Sequence, residues 1–271
     1  MISKKQFNKE IDLIISNAIR EDVMGSAKLL VKDEGIIAGV EFAKRLFDFV
    51  DPGLEVDVKI KDGTPVKYGD IVFYVSGRSQ SILKSERVML NAMQRMSAIA
   101  TKTSEYVAIL KGTDTKILDT RKTTPGIRAL EKWAVKIGGG ENHRFALYDM
   151  IMLKDNHIDF CGGVAKAIQK TQQYLKRNYL DLKIIVEARD FSEIQEILDT
   201  GGVDRILIDN FNFEDTRKAV EMIGDACQTE SSGGITLDTL RKYAECGVDF
   251  ISSGALTHSV SNMDLSLKAV E

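Results

Sequence analysis

The chain has 271 residues, 44% of them hydrophobic and 28% charged, with a formal net charge of −3. That length suits one large α/β barrel, or a large and a small domain, with ample core. The negative balance argues against a nucleic-acid partner, and no segment is long and apolar enough to span a membrane. Three cysteines, Cys161, Cys227 and Cys246, without CxxC spacing, fit reduced thiols in a cytoplasmic protein.

At the N-terminus Phe7, Ile11, Ile14, Ile15, Ala18 and Ile19 recur at helical spacing, which predicts an amphipathic helix and no signal-like apolar run. Residues 27–77 predict short strands with tight turns. Val56, Val58 and Ile60 alternate with polar residues, Asp62-Gly63 supplies a hairpin turn, and Ile71, Phe73 and Val75 alternate again before Gly77. The phrase DGTPVKYGDIVFYVSG has the look of a biotinyl-type β-sandwich hairpin, but no lysine in it lies in a modification motif, so it reads as scaffold. A long helix follows from Ser81, with Met89, Met93 and Met96 as a core-facing stripe.

From Lys116 the pattern becomes that of a parallel βα array. Apolar runs at 116–119, 148–154, 182–187, 205–209, 227–231 and 250–254 alternate with helices, and each ends in a polar residue or glycine. The last four recur every 22 residues, at Glu187, Asp209, Ser231 and Ser253. Asp190 and Thr236 stand where helices begin, and Cys246-Gly247 where one stops. In a parallel barrel all strands end on one face, where the site is built. Residues 119–122, Lys154, Glu187, Asp209, Ser231-Ser232-Gly233-Gly234 and Ser253-Gly254 should therefore converge.

Several of these residues can carry chemistry. Arg121, Lys122, Arg144 and Lys154 at strand exits make a cationic wall for a small, multiply anionic substrate, because Arg grips carboxylate or phosphate as a fork and Lys acts as a point charge. Glu187 and Asp209 follow apolar strands, where a carboxylate is costly unless paired or metal-bound. They could hold Mg²⁺ or face a developing cation, or simply pair with Lys122 and Lys154. Ser231-Ser232-Gly233-Gly234 ahead of a helix offers backbone N–H groups for a phosphate, and Gly254-Ala255 resembles the second half of such a site. His258 would cap a phosphate or lie on a surface loop. Gly138-Gly139-Gly140 taken alone could be a helix stop; beside His143, Arg144 and the other cations it reads as a mobile loop. His157 has no metal-ligand partner at useful spacing, and no nucleophile elbow, P-loop or dinucleotide fingerprint is present.

The strings SERVMLNAMQRMSAIAT, DTRKTTPGIRALEKWAVKIGGGENHR, LKDNH, ILIDNF, ESSGGIT and SSGALTHS together resemble the nicotinate-nucleotide pyrophosphorylase (carboxylating) family, also called quinolinate phosphoribosyltransferases. The resemblance runs from about residue 10 to the end, and its TRKTTPG–GGGENHR–LKDNH series is highly specific. It implies an α/β fold: an N-terminal α/β sandwich domain over 1–100, which the tail 260–271 could join, and an incomplete, seven-stranded parallel α/β barrel over 101–259. It also implies a homodimer in which one subunit's N-terminal domain covers the other's barrel mouth. Thr120, Arg121, Lys122, His143, Arg144 and Lys154 would line a quinolinate pocket, with Arg87 reaching in from the partner. Glu187 and Asp209 would face the ribose and Mg²⁺. Ser232, Gly233, Gly234, Ser253, Gly254, Ala255 and His258 would surround the 5′-phosphate. Lys122, Glu187 and Asp209 would be the catalytic groups. One departure is that Glu21-Asp22-Val23-Met24-Gly25 passes almost directly to AKLLVKDEG, where the family usually carries a GDxT-type segment; this bears on the first strand and not on the barrel.

The implied reaction joins quinolinate to 5-phosphoribosyl-1-pyrophosphate, giving nicotinate mononucleotide, pyrophosphate and CO₂. Rival readings are a molybdenum-transport accessory relative, a non-catalytic phosphate-sugar binding barrel, and an isomerase or aldolase barrel using Lys154 as a Schiff base. The intact Asn142-His143-Arg144 and Lys154-Asp155-Asn156-His157 strings favour the quinolinate enzyme over the first, and the surrounding cations suit anion binding better than the last.

Overall fold

The computed structural model describes residues 19–270. The amphipathic helix expected around Phe7, Ile11, Ile14, Ile15 and Ala18 lies outside them. The chain divides into two compact units: one made of residues through Ser104, Pro125–Gly139 and Ser259 onward, the other of Glu105–Thr124 and Gly140–His258. The tail thus belongs to the first unit. So does 125–139, which the sequence reading placed in the second domain.

The first unit is built on an antiparallel sheet ordered β12-β1-β5-β3, with β1 at Met24–Val31, β3 at Glu55–Val58, β5 at Ile71–Arg78 and β12 at Leu265–Val270. The shortened lead-in leaves β1 whole. Ala27, Leu29 and Val31 alternate inward, and the strand pairs with β12 from Ser26↔Val270 to Val31↔Leu265 and with β5 on its other edge. Phe47 of helix α1 (Val40–Val50) meets Phe73 edge-on at 5.9 Å, and Met89 and Met93 of helix α2 (Ser79–Leu110) close the same core. Met96 is buried as well, so the methionine stripe is core packing.

One turn differs from the sequence reading. β3 and β5 do pair, at Val56↔Val75 and Val58↔Phe73. Between them, however, β4 (Pro65–Val66) leaves to pair with β2 (Gly35–Ile36), so Asp62-Gly63 does not join β3 to β5 as a tight hairpin. Asp62 serves another purpose. The N-cap position of α1 is Gly39, which has no side chain, and the Asp62 carboxylate accepts from Val40 N–H at 2.8 Å and Glu41 N–H at 3.2 Å. A remote side chain thereby satisfies helix-end donors that would otherwise lack partners.

Helix α3 (Arg128–Ile137) belongs to this unit through Arg95 of α2, whose guanidinium lies 3.0 Å from the fully buried Glu131 carboxylate. The triple glycine after α3 is a helix stop and not the mobile loop expected. Gly138 N–H bonds back to Ala134 O, and Gly139 takes φ 91, the left-handed turn that ends many helices.

The second unit is an open parallel sheet ordered β6-β11-β10-β9-β8-β7. The strands are β6 (Lys116–Leu118), β7 (Ile151–Leu153), β8 (Ile184–Ala188), β9 (Arg205–Asp209), β10 (Gln228–Ser232) and β11 (Phe250–Ser252). They alternate with helices α4 (Asp155–Cys161), α5 (Val164–Arg177), α6 (Phe191–Thr200), α7 (Phe213–Ile223), α8 (Leu237–Ala244) and α9 (Ala255–His258). Asp190 caps α6, its carboxylate accepting from Glu193 N–H, and Thr236 caps α8. Seven strands were expected and six form ladders; the seventh place holds a single bridge, Leu118↔Glu141, on the outer edge of β6. The stretch GGGEN has no alternating apolar residues to bury, so nothing extends that bridge into a strand. This is an incomplete α/β barrel.

A buried anchor in the first unit generates a test. The Asp51 carboxylate, 3% exposed, accepts two bonds from Arg78 at 2.7 Å each, one from the Ser81 hydroxyl at 2.7 Å and one from Gly53 N–H at 3.0 Å. The Arg78 hydrogen bonds, against the opposing effect of burial and with help from Ser81 and Gly53, hold its pKa far below the usual carboxylate range. A depressed folded-state pKa contributes stability that is complete above the unfolded value of about 3.9 and lost as pH falls below it. Asp51→Asn should cost on the order of 2 kcal/mol at neutral pH. In urea unfolding, the gap between variant and wild type should narrow as pH drops from about 4 towards 2, below the unfolded carboxylate pKa; a gap independent of pH would contradict this.

Candidate functional site

At the carboxyl ends of the parallel strands the second unit opens into a cavity of about 880 Å³. Strand alternation decides what faces it. Met152 and Lys154, Leu207 and Asp209, Glu230 and Ser232, and Ser252 and Gly254 all line it, each pair two residues apart. The register sets neighbours side by side, with Glu187 opposite Leu207 and Asp209 opposite Ser232.

The expected residues are brought together here. Thr120, Arg121, Lys122, His143, Arg144, Lys154, Glu187, Asp209, Ser232, Gly233, Gly234, Ser253, Gly254, Ala255 and His258 all line the cavity. Arg87 does not; it is exposed on α2 in the first unit. Some lining residues were not among the candidates the sequence offered. Asn210 belongs to an Asp-Asn pair that is a weak motif alone and gains weight only from its position, and Ser252 sits within the run 250–254. Glu230 lies inside the polar strand QTESS, and its signal is parity, since it stands two residues before Ser232.

The carboxylates Glu187 and Asp209 are partnered in this cavity. Lys154 Nζ lies 2.6 Å from the Glu187 carboxylate, which is 8% exposed at its side chain. An amine so paired, and itself 46% exposed, lacks the apolar surroundings that a Schiff-base lysine needs. Asp209 accepts from the Ser232 hydroxyl and the Asn210 amide, both at 2.6 Å. Arg121 and Lys122 are exposed, whereas Arg144 is buried. Burial first, then repulsion from Arg121, pulls the Arg144 pKa down, with Asp149 opposing. The wall therefore concentrates positive charge that a dianion would relieve.

The segment carrying Arg144 has almost no ladder and is held by side chains. The fully buried Asp119 accepts from His143 N–H at 2.8 Å and from the Asn142 amide at 2.6 Å. Below it, Glu230, also fully buried, lies 2.9 Å from Arg205 and 3.3 Å from His143 Nε2. Burial works against the Glu230 charge, but contact with His143, then the Ser252 hydroxyl and Arg205, outweigh it and leave the pKa below the ordinary carboxylate value.

Around the glycine turns the backbone is shaped for close approach. Gly233 takes φ 96, and a Cβ there would come within 2.1 Å of Asn210 Oδ1 and 2.9 Å of Asn210 N, so no other residue fits. Asn210 is itself left-handed at φ 59. A Cβ at Gly254 would lie 2.8 Å from Lys122 Cδ, so this glycine gives the Lys122 side chain its path; the Thr257 hydroxyl also donates to Lys122 O at 2.8 Å. His157 Nδ1 accepts from Lys154 N–H at 3.0 Å at the start of α4. Among the described residues no cluster of three or more His, Cys, Asp or Glu side chains could hold a metal ion. None of the three cysteines is in a disulfide, and burial pushes the Cys227 and Cys246 thiols up. No described helix is long and apolar enough to cross a membrane.

Comparison with known proteins agrees with this geometry. The family described as "Quinolinate phosphoribosyl transferase, C-terminal domain" matches residues 99–268, and "Quinolinate phosphoribosyl transferase, N-terminal domain" matches 12–97. The mitochondrial quinolinate phosphoribosyltransferase [decarboxylating] 2b of Nicotiana tabacum is 44% identical, covering 95% of this chain and 77% of its own length. The probable nicotinate-nucleotide pyrophosphorylase [carboxylating] of Bacillus subtilis (strain 168) is 39% identical, covering 94% and 86%. The crystal structure of NadC from Streptococcus pyogenes superposes with a TM-score of 0.88 at 34% identity, over 98% of this chain and 96% of that one. With both domains matched and such relatives covered over most of their length, the chain belongs to the quinolinate phosphoribosyltransferase family.

Proposed function

We propose that this chain transfers the 5-phosphoribosyl group from 5-phosphoribosyl-1-pyrophosphate to quinolinate with decarboxylation, a pentosyl transfer in NAD biosynthesis. The observation that carries this is one cavity that brings cations at Arg121, Lys122, Arg144 and Lys154 together with carboxylates at Glu187 and Asp209 and with glycine-rich turns. A diacid suits the cations, and a ribose phosphate suits the carboxylates and turns. Neither the molybdenum-accessory relative nor a non-catalytic binder is favoured, since both matched family descriptions are of the quinolinate type.

In the first step the bond from the anomeric carbon to pyrophosphate breaks and the quinolinate nitrogen bonds to that carbon. Glu187 and Asp209 face the oxocarbenium character that develops there, and holding the nitrogen near the carbon supplies much of the rate. Ser232-Gly233-Gly234 and Ser253-Gly254-Ala255, with His258 beside them, hold the 5′-phosphate through backbone N–H groups. In the second step the 2-carboxylate leaves as CO₂. Its electron pair stays on the ring carbon next to N⁺, and Lys122 delivers a proton there.

The donor set bears on Mg²⁺. Glu187 is already paired and Asp209 already accepts two bonds, so the protein builds no cage. These two carboxylates suit an ion that arrives on pyrophosphate oxygens and keeps some of its waters. Such an ion would neutralise charge on the leaving group.

The proposed assembly is a homodimer. Arg87, exposed on α2 and absent from the cavity lining, would serve the partner's site. A cytosolic setting is likewise proposed; the three cysteines outside any disulfide support a reducing compartment.

Incubation with quinolinate, 5-phosphoribosyl-1-pyrophosphate and Mg²⁺ should yield the mononucleotide and CO₂ in equal amounts, and nicotinate in place of quinolinate should not substitute. Ligand binding without pyrophosphate release would end this reading. Lys122→Ala should lower kcat by about two to three orders of magnitude while leaving Tm in place, as expected for loss of a proton donor. Glu187→Ala should weaken Mg²⁺-dependent turnover more than quinolinate binding; unchanged kinetics in both variants would make the cluster structural. A tight grip on the 2-carboxylate would stabilise the ground state and slow its loss. Arg121 and Arg144 should therefore hold the 3-carboxylate in a quinolinate complex, and a bidentate Arg on the 2-carboxylate would contradict that.

A further inference from the structure

Glu230 has no part in the chemistry above, yet it is the most deeply buried carboxylate in the cavity lining. Its Oε2 lies 2.9 Å from an Arg205 nitrogen and 3.3 Å from His143 Nε2. Arg205 is fixed in turn. Its guanidinium stacks 3.8 Å over the Phe250 ring and donates to Gln228 Oε1 at 3.3 Å. On the far side of the imidazole, Nδ1 accepts the Arg144 backbone N–H at 2.7 Å. An acceptor nitrogen carries no proton, so the ring proton is on Nε2, which lies beside Glu230 Oε2 without the alignment of a hydrogen bond.

We propose that Glu230 is a positioning residue for the quinolinate grip: held by Arg205, it fixes the His143 ring with its proton on Nε2, and through Nδ1 the ring fixes the backbone of Arg144. The segment needs such a strut, because its single bridge at Glu141 leaves residues 142–144 without a ladder. Asp119 holds its backbone from one side and Glu230 holds the imidazole from the other. A buried arginine aimed at a carboxylate tolerates little misplacement, and outer partners of this kind commonly matter ten- to a hundred-fold, roughly, in affinity or rate. It also follows that the His143 proton lies on the Glu230 side of the ring. His143 is not the acid that quenches the ring carbanion, which leaves that task to Lys122.

The inference rests on the reading that Arg144 binds quinolinate, and the test separates the two. Wild-type turnover of quinolinate decides that reading first. Calorimetric titration of quinolinate into the full-length wild type and Glu230→Gln, with steady-state kinetics for both substrates, then addresses the strut. Gln keeps the shape and an oxygen for Nε2–H but removes the charge that anchors Arg205. We expect quinolinate affinity to fall about ten-fold or more, KM for 5-phosphoribosyl-1-pyrophosphate to stay within about two-fold, and the pH profile of kcat to keep its shape. His143→Gln, which breaks the strut from its other end, should show the same selective loss. Equal losses for both substrates, or unchanged quinolinate affinity in folded Glu230→Gln, would overturn the positioning role. A pH profile that loses a limb would return His143 to the acid's part. If Glu230→Gln does not fold, ¹⁵N imidazole spectra of the wild type still decide, since protonated Nδ1 in His143 is incompatible with the proposal.

Discussion

Charge in the mouth of a parallel sheet must be paired, and the second unit is organised around that constraint. An isolated carboxylate or ammonium in such a place would lose its hydration with nothing to replace it. Three carboxylates here meet that demand differently. Glu187 pairs with Lys154, Asp209 takes bonds from Ser232 and Asn210, and Glu230 leans on Arg205 and His143. These pairings set how the site is distributed. Lys154–Glu187 is half open to solvent and can exchange partners for a substrate. Glu230–Arg205 is closed off and can only support.

The same constraint explains why the barrel is incomplete at one edge. A seventh strand would need apolar residues alternating with polar ones. The chain instead places GGGENHR there, with glycines to end α3 and then polar residues whose side chains reach inward. Asp119 and Glu230 take over the task that a ladder would perform. The edge that lacks a strand is thereby the edge that presents a buried arginine to the cavity, and the loss of regular structure is matched by a gain in directed positive charge.

The first unit follows a more ordinary logic. An antiparallel sheet buries one face against α1 and α2, and a deeply paired carboxylate, Asp51, ties the end of α1 to the end of β5 and the start of α2. On α2 the exposed Arg87 lies opposite the stripe of Met89, Met93 and Met96, which is entirely core. The helix period alone separates the two roles.

Much of this was legible from residues alone. Six short runs ending in a polar residue or glycine named the strands and their exits, because parallel βα topology turns sequence spacing into a common rim; β9 falls on residues 205–209 as the pattern required. Period two and period 3.6 are local properties, and they mark the strands, the methionine stripe and the caps at Asp190 and Thr236 without help from the fold. Other features depended on partners distant in the chain. Asp62 caps a helix that starts 22 residues before it. The Asp119 and Glu230 supports act on a segment to which no sequence signal ties them. The triple glycine is a stop because α3 ends there in a left-handed turn, and residues 125–139 join the first unit through the Arg95–Glu131 pair. Local periodicity writes where strands and helices form and where their ends lie; which buried charge finds which partner is written only by packing, since burial and distance exist only once the chain has folded.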